Sequence, residues 1–206
     1  AFGQQMSTGD WDGSGGGHVK VYTTGYTFVP DNNFEQALID LGYDDTLDDY
    51  VLTANISGVT ELNVSNEEIS DLTGIAGFTA LTDLKCDDNQ LTSLDVSANT
   101  ALTELNCTSN QLTSLDVSNN TALAQLENEN NQLTTLDLSN NTDLIALYTA
   151  SNQLTSLDLS NNTALTELKC VNNQLTSLDL SANTALTYLE CGGNQLTSLD
   201  VSANTA

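Results

Sequence analysis

The side chains here with types and spacing suited to chemistry are acids, thiols and amides, with almost nothing to act as a base or a cationic clamp. Near the start, Asp10-Trp11-Asp12-Gly13-Ser14 sets oxygen donors at alternate positions beside a glycine that permits a sharp turn, which is how a calcium loop opens. Asp10, Asp12 and Ser14 are therefore the candidate metal ligands, with calcium as the ion. Val21 stands where the closing bidentate glutamate of such a loop belongs. Asp44, Asp45, Asp48 and Asp49 crowd a second short stretch, read as a solvated acidic turn. His18, the single histidine, has no acid-base partner at a recognisable spacing. No Ser-His-Asp or Cys-His arrangement and no phosphate-binding glycine loop is present, so the residues argue against an enzyme.

The four cysteines carry a different message. Cys86, Cys107, Cys170 and Cys191 lie 21, 63 and 21 residues apart, whole multiples of one period. That period is a unit, LxxLxCxxNQLTSLDVSxNTA, whose six copies begin at Leu81, Leu102, Leu123, Leu144, Leu165 and Leu186 and fill residues 81–206. A unit this short cannot bury its own apolar face and must stack on a neighbour, so the chain folds as a solenoid. Each unit repeats LxxLxLxxN twice, and alternate apolar positions imply a short strand with its apolar side inward. The fold class is thus a mainly β repeat solenoid with two short parallel strands per 21-residue repeat. The cysteines take one inward position and form a core column interrupted by Asn128 and Thr149. They read as buried thiols acting as small hydrophobes, since stacked inward cysteines make an awkward disulfide and cannot converge on a zinc ion. Asparagines recur where each coil must turn, one column from Asn89 to Asn194 and a second from Asn99 to Asn204, and their amides are suited to bonding the backbone groups a turn leaves unpaired.

Ahead of the array, residues 1–29 form a Gly/Ser-rich leader with a short strand at His18 to Tyr22. Ala1-Phe2-Gly3 has the small-x-small form of a signal-peptidase site, which would start the mature chain at Gln4. Residues 30–58 are an N-terminal cap. Pro30 opens a helix over about 31–41, Asp31 or Asn32 caps it, Phe34, Leu38 and Leu41 share a face, and Gly42 ends it. Such a helix covers the apolar edge of the first layer. Residues 59–80 form a degenerate first repeat. The last unit ends without a polar closing turn, so the array is expected to continue or to pair through an open edge.

The cap motif VPDNNFEQALIDLGYDD, then ISDLTGI, then each NQLTSLDVS resemble a leucine-rich-repeat protein, of the secreted short-repeat kind carried on Bacteroidetes surfaces and also internalin-like. The resemblance covers about Thr27 to Ala206. It implies a right-handed coil with an N-terminal capping helix, and a non-catalytic extracellular or cell-surface module for recognition or adhesion.

Charge narrows the partners. Three lysines, no arginine and 28 acids give a formal net charge of -25, which repels phosphate backbones and anionic lipid. Nucleic acid is excluded as a partner, and no apolar run approaches a membrane span. Proteins or glycans at a surface remain, with end-to-end stacking into a filament or surface layer as the alternative.

Copies of the unit differ mainly in their first half. The central outward column reads Lys85, Asn106, Glu127, Tyr148, Lys169, Glu190, flanked by Ile145, Ala146, Ala150, Val171 and Tyr188. Ile145, Tyr148, Val171 and Tyr188 are expected to form an exposed apolar patch beside Lys169, with Lys85, Glu127 and Glu190 on the same ligand-binding face. In the second half the outward positions barely vary and include a column of acids, Asp95, Asp116, Asp137, Asp158, Asp179 and Asp200. Such acids one strand apart repel by up to ~3 kcal/mol per neighbour at an effective dielectric of about 20. Hydrogen bonds from flanking serines and threonines, or bound cations, must offset that repulsion.

Overall fold

A computed structural model describes residues 25–205. The calcium-loop candidates Asp10, Asp12 and Ser14, together with His18, lie outside the described residues.

Two strands, β1 (Tyr26–Phe28) and β2 (Tyr50–Leu52), pair antiparallel and bracket helix α1 (Asn32–Asp40). Asp31 is the cap: its Oδ1 accepts from the N–H groups of Asn33 and Phe34 at 2.9 and 3.1 Å. Its Oδ2 accepts from the Ser70 N–H, the Ser70 hydroxyl and the Asp71 N–H, so one carboxylate ties the helix to the first coil. Burial pushes the Asp31 carboxyl up, but the bonds from Ser70, Phe34 and Asp71 outweigh it and hold the group below the usual range. Gly42 leaves the helix at φ 81°, a left-handed turn that glycine makes without strain. Phe34 and Leu38 are fully buried, and the Phe34 and Phe78 rings stand 6.4 Å apart, seating the helix on the first coil. Leu41 is a correction to the expected face: it is exposed, because the helix has ended and the chain turns outward at Gly42. A short helix, α2 (Thr53–Ile56), leads into the array.

From there the backbone repeats. Seven three-residue strands form one parallel sheet in sequential order: β3 (Glu61–Asn63), β4 (Asp83–Lys85), β5 (Glu104–Asn106), β6 (Gln125–Glu127), β7 (Ala146–Tyr148), β8 (Glu167–Lys169) and β9 (Tyr188–Glu190). The degenerate segment supplies β3, and Leu62, Leu84, Leu105, Leu126, Leu147, Leu168 and Leu189 lie in one register across the sheet. The leucines of successive coils belong to one continuous core running from the cap to the last strand.

The second half of each unit departs from the expected second strand. Among the described residues its ladder shrinks to one parallel bridge, Asp95 with Asp116. Side chains take up part of the backbone there. Each column aspartate takes the N–H of the serine two residues on, Ser97 to Asp95, Ser118 to Asp116, Ser139 to Asp137 and onward, at 2.9–3.0 Å. That N–H is then turned back within its own coil and is lost to the neighbouring coil.

Candidate functional site

Seven coils present their strands as one face, and the sequence positions on it are built in the same way each time. A threonine, isoleucine or alanine leads in, the strand alternates outward, inward, outward, and the chain leaves through a left-handed residue. That residue is Asn66, Asp88, Ser109, Asn130, Ser151, Asn172 or Gly193, all at φ between 52° and 66°. The sequence reading missed this column, although its occupants, small polar residues and one glycine, are the types that tolerate the conformation.

One residue later stands the first asparagine column. Asn110 donates to the carbonyls of Cys86 in the preceding coil and of Cys107 and Thr108 in its own, at 3.0–3.2 Å, while its Oδ1 accepts from the Leu91 N–H. Asn131 and Asn152 repeat the pattern. In the second column Asn120 donates to Val96 and Asn99, and Asn141 to Val117 and Asn120. The amides are thus committed to backbone carbonyls within and between coils.

The cysteine column is internal as well. Cys86, Cys107 and Cys170 are buried, Cys191 is half-buried, and all four are free thiols. Burial pushes the Cys107 and Cys170 thiols up to about 12, so they stay protonated. Where the column breaks, Asn128 and Thr149 are fully buried and the polar atoms of both side chains meet no hydrogen-bonding group of the protein.

On the strand face itself the expected patch assembles in part. Tyr148 and Lys169 sit directly across β7 and β8, and Glu167 pairs with Tyr188 across β8 and β9. The Lys169 ammonium lies 4.2 Å from the centre of the Tyr148 ring and 5.8 Å from that of Tyr188, bracketed by two aromatic faces. The Tyr148 hydroxyl donates to Glu167 Oε2 at 2.5 Å, and the Tyr188 hydroxyl donates to Glu190 Oε1. Ile145 is 48% exposed and Tyr188 44%, so both present apolar surface on the strand face. Tyr148, Lys169 and Val171 are half-buried. The bond to Glu167 raises the Tyr148 phenol to about 12, helped by partial burial and by the charges of Glu167, Glu127 and Glu129. Burial holds Glu129 above its ordinary value; Lys169 works against that, while Glu127 and Glu190 add to it. Glu129 and Glu167 therefore belong to the patch although the variable column did not single them out.

Two expectations shift. Lys85 stands apart, three strands away on β4, where its ammonium meets Asp83 at 3.4 Å. Ala146 is buried at 7% exposure and presents little surface. The acidic turn at Asp44 to Asp49 is shaped from beneath by Glu35, a fully buried acid on α1 whose Oε1 accepts from the N–H groups of Asp48 and Tyr50. Among the described residues no group of three or more acids, cysteines or histidines is placed to hold a metal ion. No helix among them is long and apolar enough to cross a membrane.

The architecture defines the class: a leucine-rich-repeat solenoid with an uncovered parallel strand face. A family described as Leucine Rich repeats (2 copies) matches residues 163–204. Internalin J of Listeria monocytogenes is 43% identical over 72 residues, which is 35% of this chain and 8% of that protein. A structure described as the functional domain of that same internalin, including a cysteine ladder, superposes with a TM-score of 0.73 at 36% identity, over 87% of this chain and 45% of the other. A leucine-rich-repeat protein of Leptospira interrogans gives a TM-score of 0.65 at 26% identity, over 73% of this chain and 42% of the other. Internalin C2 of Listeria monocytogenes, at 24% identity and a TM-score of 0.63 over 89% of this chain and 94% of the other, shares the fold. The chain is an internalin-like leucine-rich-repeat protein, and it spans less than half the length of the internalin J domain it matches.

Proposed function

We propose that this chain is a non-catalytic recognition module of an extracellular or cell-surface protein, and that its strand face, centred on Ile145, Tyr148, Lys169 and Tyr188, is the surface that engages a partner protein. The observation that carries the reading is the aromatic bracket around Lys169 beside exposed Ile145. Exposed aromatics with a neighbouring charge anchor interfaces, and here they occur on the one half of the coil whose residues vary. The second half repeats the same Asp and Ser rows coil after coil, as a framework would. The internalin-like resemblance supports a protein partner. The cysteine column of this chain lies in the core, and the internalin J structure it resembles is described as including a cysteine ladder.

The test is binding of the chain to immobilised cell-surface extract, untreated, protease-treated or enzymatically deglycosylated. The paired variant Tyr148→Ala/Tyr188→Ala should lose about tenfold in affinity, while Asp116→Asn/Asp137→Asn/Asp158→Asn on the constant half should bind as the parent does. Binding that survives protease and vanishes on deglycosylation would move the partner to a glycan. Binding lost with the aspartate variant and kept with the tyrosine variant would place recognition on the other half and overturn the proposal.

A further inference from the structure

Resting on the strand face as the recognition surface, a narrower reading follows from what already sits in it. The outward strand residues include Glu61, Asp83, Glu104, Glu127, Glu167 and Glu190 against only two lysines. Both lysines are engaged: Lys85 with Asp83, and Lys169 over the two tyrosines. The face is therefore an uncovered acidic surface with a formed aromatic bracket at one point, and that bracket already holds a cation supplied by the chain itself. The tyrosine hydroxyls donate to Glu167 and Glu190, which fixes the rings and places carboxylates at their edges. Two rings fixed in this way and ringed by carboxylates are suited to an ammonium or guanidinium group, whose charge meets the negative ring faces while its N–H donors meet the acids.

We infer that the Tyr148–Tyr188 bracket is a receptor for a cationic side chain, and that the strand face docks a basic segment of a partner protein, with one arginine or lysine entering where the Lys169 ammonium lies. Lys169 is the internal placeholder. It keeps the rings apart and offsets the repulsion among Glu127, Glu167 and Glu190 until the partner's cation displaces it. The guanidinium is the better entrant, because its flat, weakly hydrated group stacks on an aromatic face and forks onto a carboxylate together. Glu61, Glu104 and the rest of the acidic face contribute long-range attraction and register, which salt screens.

Fluorescence anisotropy with labelled peptides of alternating Gly-Ser-Arg, Gly-Ser-Lys and Gly-Ser-Glu triplets, at about 0.15 M salt, tests this directly. The arginine peptide should bind, the lysine peptide several-fold more weakly, and the glutamate peptide not at all. Lys169→Ala should bind the arginine peptide about tenfold more tightly, because the placeholder is gone. Tyr148→Ala/Tyr188→Ala should bind it about tenfold more weakly, and Tyr148→Phe/Tyr188→Phe, which keeps both rings, should retain binding. Weaker binding to Lys169→Ala would overturn the placeholder role. An equal loss in Asp116→Asn/Asp137→Asn/Asp158→Asn would reduce the effect to bulk charge and overturn the site. No binding of either basic peptide, with capture of the surface-extract partner still dependent on Tyr148 and Tyr188, would overturn the cationic ligand and leave the recognition face standing. If neither depends on those tyrosines, both readings fail.

Discussion

The two halves of each coil carry the same apolar spacing and use their backbones in opposite ways. In the first half the N–H and C=O groups pair with the next coil, giving the seven-stranded sheet. In the second half side chains intervene: aspartates turn N–H groups back within the coil, and the second asparagine column reaches the preceding coil's carbonyls. The consequence is functional. A half held by fixed side chains cannot vary without losing its backbone partners, whereas a half held by backbone pairing leaves its outward side chains free to change. Lys85, Asn106, Glu127, Tyr148, Lys169 and Glu190 are that freedom, displayed in one register.

The comparison breaks most visibly at the asparagines. Asn131 is nearly buried and its amide serves two coils, while Asn140, in the next turn of the same unit, is exposed with one bond to Ser118. Asn131→Ala should cost about 3 kcal/mol in denaturant unfolding, because buried backbone groups in both coils lose their partner. Asn140→Ala should cost under about 0.5 kcal/mol. Similar losses at both would mean that the amides do not divide into framework and surface.

A second test acts on the core beneath the variable face. Asn128 and Thr149 interrupt the thiol column with buried polar atoms that no protein group bonds. Asn128→Cys with Thr149→Cys should raise stability by about 2 kcal/mol, by removing those groups and completing the column. A fall would show that the polar pair is satisfied within the core. In the parent, a water-soluble thiol reagent should label half-buried Cys191 first and leave Cys86, Cys107 and Cys170 untouched until unfolding.

Titration separates the halves again, more gently. Tyr148 has a folded-state value of about 12 against an ordinary 10.0, so its contribution to stability is fully present below about pH 10 and lost as pH rises through 12. Absorbance of the phenolate should place that tyrosine last to ionise, and Glu167→Gln should bring it down. The column aspartates shift the other way. The Ser97 and Ser118 hydroxyls and N–H groups hold Asp95 and Asp116 below their ordinary 3.8, and at Asp137 the N–H of Ser139 leads. Their contribution is present above that value and lost as pH falls through the lower folded one. Since these acids are exposed, Asp137→Asn should move the acid midpoint only slightly.

Much of this was legible because a repeat multiplies weak signals. One LxxL stretch is ambiguous; six in phase leave a single way to bury the leucines. The inward thiols, both asparagine columns and the outward Tyr148-Lys169 neighbourhood follow from that phase, while the Asp31 cap follows from local capping chemistry. What escaped required knowing where individual N–H groups go: the missing second strand, the left-handed residue before each asparagine, and buried Glu35, which reads in sequence as an ordinary surface acid on an amphipathic helix. Periodicity tells which side a residue faces, but not which of two donors an aspartate or a neighbouring carbonyl will win.

The most direct measurement of the division of labour is site-specific photo-crosslinking on the partner complex, with the reactive side chain installed in turn at Tyr188 and at Ser160. Strong adducts are expected from the strand-face position and none from the constant half. Adducts from Ser160 with none from Tyr188 would contradict that division.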